Sequence, residues 1–171
     1  MRTFMLSAMV LCLTVGCGQT TKVDNSVVND FDVSRFLGHW YEIARFDHSF
    51  ERGMEHTEAE YTLRDDGNIN VVNTGIKNGK LKTSNGRAKL TDTPALLRVS
   101  FFRPFYSDYR IMMIDSGYQY ALIGSSNEKY LWILSRKPQL RAEDKTNILR
   151  EALRRGYDTK QLIWVKQWGM P

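Results

Sequence analysis

At 171 residues, with 42% hydrophobic and 25% charged side chains and no biased tract, the chain has the length and composition of one globular domain, which excludes a disordered or fibrous protein. Its formal charge of +5 becomes +4 once a leader whose only charged residue is Arg2 is removed, and the basic residues of the strand-like segments are scattered singly without forming a stripe, so no nucleic-acid footprint is visible. Cys12 and Cys17 are the only thiols, so no disulfide is expected to staple the fold.

The first predicted element is a secretory leader over residues 1–16, with Arg2 ahead of an apolar run from Phe4 to Val15. That run is too short for a permanent helical span, which needs roughly 20 residues to cross the hydrocarbon core. Leu13-Thr14-Val15-Gly16-Cys17 resembles the lipobox of bacterial lipoproteins. The resemblance implies acylation of Cys17, and Gly18 in place of aspartate after it implies residence in the outer membrane, facing the periplasm. Residues 17–29, polar and without periodicity, read as a lipidated tether, and the domain is expected over residues 30–171.

Eight short segments follow in which apolar and polar residues alternate: Trp40 to Phe46, Ala59 to Leu63, Ile69 to Thr74, Gly86 to Leu90, Leu96 to Phe102, Tyr109 to Ile114, Tyr118 to Gly124 and Tyr130 to Ser135. Turn signals separate them, among them Asp65-Asp66-Gly67-Asn68, Asn78-Gly79, Arg103-Pro104 and Ser116-Gly117. Only the first connection, Asp47 to about Thr57, is long. Beyond Pro138 the period changes: Ile148, Leu149, Ala152 and Leu153 share one helical stripe, with Glu143 and Asp144 in the first turn and Gly156 at the end. Leu162 to Val165 reads as a short final strand. The fold class is therefore all-β, an eight-stranded antiparallel up-and-down barrel with one C-terminal helix packed outside, a size that admits one small ligand.

Gly38-His39-Trp40 at the start of the first strand, Asp115 and Tyr118 between the sixth and seventh, and Arg136 at the end of the eighth resemble the three signature motifs of the lipocalin family. Glu42-Ile43-Ala44-Arg45-Phe46 and Tyr130-Leu131-Trp132-Ile133-Leu134 resemble its bacterial outer-membrane subgroup. The resemblance implies that Gly38, Trp40, Asp115, Tyr118 and Arg136 close one end of the barrel, with the arginine across the tryptophan, and that an apolar chamber above them binds a fatty acid or lysophospholipid. Strand alternation from Trp40 then selects Glu42, Ala44 and Phe46 as inward-facing, and alternation from Arg136 selects Trp132. Glu42 requires a partner there, expected to be Arg136 or a tyrosine hydroxyl. The odd-numbered connections lie at the mouth, and the expected ligand contacts are Ala44, Phe46, Phe101, Tyr106 and Trp132. Exposed apolar residues such as Ile43 would support a homodimer.

Catalysis has little to build on. There is no G-x-S-x-G word, no thiol beyond position 17, and only three histidines, His39, His48 and His56. No H-E-x-x-H, C-x-x-C or carboxylate-rich loop occurs, so neither a metal nor a cofactor is expected. Two competing readings stay open: an envelope-anchored esterase, and an interaction module that works through the barrel exterior.

Overall fold

The computed structural model describes residues 23–169; the leader, the lipobox and Cys17 lie outside them. The strands are β1 (Gly38–Arg45), β2 (Glu55–Leu63), β3 (Ile69–Lys77), β4 (Lys80–Lys89), β5 (Leu96–Phe102), β6 (Phe105–Ile114), β7 (Tyr120–Gly124) and β8 (Leu131–Ser135). Each pairs antiparallel with the next, and β1 pairs with both β8 and β2, so the sheet closes on itself. A short β9 (Ile163–Trp164) lies along the far half of β1, where Ala44 meets Trp164 and Arg45 meets Ile163.

Helix α2 (Ala142–Arg154) packs outside, burying Ile148 and Ala152. A second helix escaped the sequence reading: α1 (Val33–Phe36), a single turn started by Asp32, whose carboxylate accepts from the Ser34 amide. It is too short for a periodic pattern, yet it drives Phe36 fully out of solvent at the closed end.

Three strands run further toward the mouth than their alternation shows. β2 starts at Glu55, β3 continues to Lys77 and β4 starts at Lys80, joined across Asn78-Gly79 with both turn residues at positive φ. Lys80 to Asn85 are exposed on both faces, so that part of β4 has no apolar side for a pattern to reveal. Pairing of β4 with β5 is confined to Arg87–Ser100, Ala88–Val99 and Lys89–Arg98, and above these the wall opens.

The N-terminal segment also departs from expectation. Residues 23–29 are packed onto the barrel, not free as a tether: Asn25 donates to the Ser125 carbonyl at 3.0 Å, Val28 to that of Ile111 at 3.0 Å, and the Asp32 amide to the Tyr118 hydroxyl at 2.8 Å. These bonds step down the wall from the mouth end of β7 to its closed end. Buried Arg155 clamps the segment, donating to the carbonyls of Asp24, Ser26 and Met112 and to the Glu151 carboxylate. The domain therefore reaches at least to Val23.

Two apolar clusters lie on opposite sides of the sheet. The inner one gathers Phe36, Trp40, Tyr61, Ile69, Val71, Ala88, Leu97, Ile111 and Ile123; the outer one gathers Ile43, Ala44, Phe46, Met112, Leu122, Leu131 and Ile133 beneath Ile148 and Ala152.

Candidate ligand-binding site

At the closed end the Arg136 guanidinium lies 3.9 Å above the Trp40 ring. It donates to the carbonyls of His39, Arg35 and Leu37 at 2.6, 2.8 and 2.8 Å, and more loosely to those of Phe36 and Tyr118. The Trp40 indole N–H donates to the Phe36 carbonyl at 2.7 Å, so one cation and one ring tie α1 across the barrel floor. Gly38 is favoured here because its φ is +90°, a backbone conformation that side chains with a Cβ rarely adopt. The Asp115 carboxylate accepts from the amides of Gly117, Gln119 and Tyr120, and so shapes the β6–β7 turn in which Tyr118 adopts a positive φ.

A β-bulge between Glu42 and Ala44 reverses the alternation of β1. Trp40 and Glu42 face inward as the alternation predicts, but Ala44 and Phe46 turn out into the cluster under α2, and Arg45 turns in. Ala44 and Phe46 therefore do not line the interior. Ile43, expected on the surface as a dimer contact, is only 7% exposed in the same outer cluster. Glu42 finds its partner on its own strand: Arg45 Nη1 donates to Oε1 at 2.7 Å, in place of Arg136 or a tyrosine. Burial pushes the Glu42 carboxyl up to about 8; the nearby Glu51 carboxylate adds to the rise, and Arg45 opposes it. Below, the hydroxyls of Tyr61 and Tyr109 share a 2.8 Å hydrogen bond, and burial pushes both phenols up.

The first loop folds down into the mouth, held by Arg45, whose Nη2 donates to the carbonyls of Glu51 and Met54 at 2.8 and 3.0 Å. Trp132 lies against the inner cluster, and its indole N–H donates to the Glu51 carboxylate at 3.1 Å. Phe101 also packs against this cluster, under Gly86, where a Cβ would come within 2.8 Å of its ring. Tyr106 does not face in. It is out of phase with inward Tyr109 on β6, and the Lys89 ammonium sits 4.6 Å above its ring on the outer wall.

The interior is thus a filled base beneath an open top, and polar side chains share the upper half that the sequence suggests is an apolar chamber. The Phe36 ring meets those of Trp40, Tyr61 and Tyr109 in the lower barrel, and the two tyrosine rings also meet each other. In the upper half, Lys82 and Ser84, in phase with inward Ala88, are exposed, while Asn73, in phase with inward Val71, has a buried amide oxygen with no partner among the described residues. Apolar side chains stand exposed around the rim: Phe50, Leu81, Phe102 and Phe105.

The histidines are dispersed. His48 is buried against Phe50 and Trp132, His56 stacks on Trp168 with ring centroids 3.6 Å apart, and His39 meets Glu58 at 3.0 Å. Among the described residues no group of three or more His, Cys, Asp or Glu is placed to hold a metal, and no helix is long and apolar enough to cross a membrane.

A sequence model of the lipocalin-like domain matches residues 31–167. The chain is 48% identical over 162 residues to the outer membrane lipoprotein Blc of Escherichia coli, covering 92% of each protein, and 42% identical over 145 residues to the protein of that name from Vibrio cholerae, covering 82% of this chain and 85% of the relative. Among solved structures, insecticyanin from the tobacco hornworm Manduca sexta superposes with a TM-score of 0.70 at 23% identity, over 85% of this chain and 86% of that one. A closed antiparallel barrel, an arginine laid over the first-strand tryptophan and these matches converge: the chain belongs to the lipocalin family.

Proposed function

We propose that this chain is an outer-membrane lipoprotein, anchored through Cys17, that carries a fatty acid or lysophospholipid in its upper barrel and performs no chemistry on it. The observation that supports this best is the open upper half above a filled base, with inward positions of β4 exposed, Phe101 and Trp132 at its walls, and apolar side chains on the rim. One acyl chain suits that shape, because apolar walls take the methylenes while Arg45, Glu51 and the unpartnered Asn73 oxygen offer polar contacts near the mouth.

The path of the N-terminal segment supports a membrane-facing mouth. Val23 borders a groove with Phe46, Glu128 and Lys129, at the open end. It stands six positions after Cys17, a reach of about 20 Å at full extension, so an acylated Cys17 would hold the mouth close to the bilayer. Phe50, Leu81, Phe102 and Phe105 then meet the lipid headgroup region. The names of the Escherichia coli and Vibrio cholerae relatives accord with such an anchor.

Displacement of a fluorescent fatty-acid analogue by palmitate tests the reading. Saturable, stoichiometric displacement is expected; its absence would favour work through the outer surface, and slow loss of an ester probe would favour an esterase.

A further inference from the structure

On the outer wall, where β4 and β5 cease to pair, lies a cavity of about 230 Å³ lined by Arg64, Arg87, Arg103, Asn85, Ser100 and Phe101, together with Asn70 and Gly86. Its lining includes three guanidinium groups, two side-chain amides and one hydroxyl, and no acidic side chain. Asp66 is the nearby counter-charge, 3.3 Å from Arg64 and 3.2 Å from Arg87, and this one carboxylate against the three arginines leaves two positive charges in excess. Ser100 is 4% exposed, and its hydroxyl has no hydrogen-bond partner among the described residues. An unpaired buried hydroxyl beside clustered arginines has the donor chemistry that an oxyanion requires.

We infer that this seam binds a phosphate group, presented by the headgroup of the carried lipid. A phosphate offers several acceptor oxygens to a cluster whose three guanidinium groups share one carboxylate and whose Ser100 hydroxyl has no partner among the described residues, and planar guanidinium forks match it in pairs. The seam also joins the two sides of the wall. Phe101 lines the cavity and packs against the inner cluster, so an acyl chain lying over it inside the barrel can pass its headgroup through the gap above the Arg87–Ser100 pair. The lipid would leave the barrel sideways at the seam, and lysophospholipids would be favoured over fatty acids of equal chain length. This rests on the carrier reading, and it assigns the headgroup a place that the reading alone does not.

The test compares the wild type with Arg103→Gln, an exposed turn position, and with the double variant Arg87→Gln/Arg103→Gln. Each is titrated with palmitoyl-lysophosphatidylglycerol and palmitate by calorimetry, and with inorganic phosphate by phosphorus NMR. The expected result is lysophospholipid binding weakened about tenfold or more in the double variant, with palmitate affinity unchanged. Equal lysophospholipid affinity in all three proteins, with no phosphate binding to the wild type, overturns the inference. Phosphate binding that the variants lose, with lysophospholipid affinity intact, keeps the phosphate site but gives it to the free ion and overturns the headgroup source. Should the wild type bind neither lipid, the carrier reading fails; the phosphate arm still decides whether the seam is an anion site.

Discussion

Arg45 donates to a carboxyl oxygen of Glu42 at 2.7 Å inside the barrel, although the two stand three positions apart on one strand and strict alternation would send them to opposite faces. The bulge between them makes the pair possible, and the pair in turn places the rest of the mouth, because the same guanidinium holds the first loop.

The Glu42 carboxyl sets a pH dependence. Its pKa is raised from 4.5 in the unfolded chain to about 8, so across that window the folded protein holds a proton that the unfolded chain has released. Stability from this group is therefore greatest below the lower value and declines as pH rises toward the higher, by at most about 1.4 kcal/mol per unit. Glu42→Gln should fold and should flatten that decline. Urea midpoints measured between about pH 5 and pH 8 check this, and parallel slopes for the two proteins would refute it.

The barrel floor depends on Trp40 and Arg136. Trp40→Ala should cost about 3 to 5 kcal/mol by leaving a cavity beneath Phe36 and Tyr61. Arg136→Lys keeps the charge but not the planar fork that spans several carbonyls, and should cost about 1 to 3 kcal/mol. Denaturant titration reads both losses; an unmoved midpoint for Trp40→Ala would contradict the geometry of the floor.

The two faces of the wall can be separated by substitution. Trp132→Ala should weaken acyl-chain binding by about 1 to 3 kcal/mol, the scale of one large apolar side chain withdrawn from contact. Phe46→Ala should lower stability by about 3 kcal/mol and leave that affinity alone, because the ring packs against Tyr157 outside the barrel. Comparable affinity losses in both would mean that the bulge has been placed wrongly.

Arg155 fastens residues 23–29 to the wall. Arg155→Met should cost about 3 to 5 kcal/mol, since it strands the buried Met112 carbonyl and those of Asp24 and Ser26 and takes one of its two arginines from Glu151, and it should expose the N-terminal segment to protease. Limited proteolysis followed by mass spectrometry would show cleavage within 23–29 earlier than in the wild type. The same cluster lends acid sensitivity: hydrogen bonds from Arg154 and then Arg155 hold the Glu151 carboxyl down to about 2, so its contribution is present above the ordinary carboxylate range and is lost as pH falls through the lower value.

Amino-acid order alone determined the number of barrel strands, the outer helix and the words at Trp40 and Arg136, because each depends on a local period or a short motif. Alternation marks a strand wherever one face is buried, so β5, with one face on the inner cluster, was legible end to end; it fails where both faces are wet, and the outer half of β4 was not. One signal for the inner polar cluster was present in the sequence, an arginine set in an apolar run three positions after a glutamate.

Tertiary structure decided which side of the wall Ala44, Arg45 and Phe46 face, that residues 23–29 belong to the domain, and that β4 and β5 part above Arg87. Each depends on a partner strand or a clamp distant in the chain. A bulge is a one-residue mismatch between neighbouring strands, and an apolar residue followed by a charged one fits either face until the neighbour sets the register.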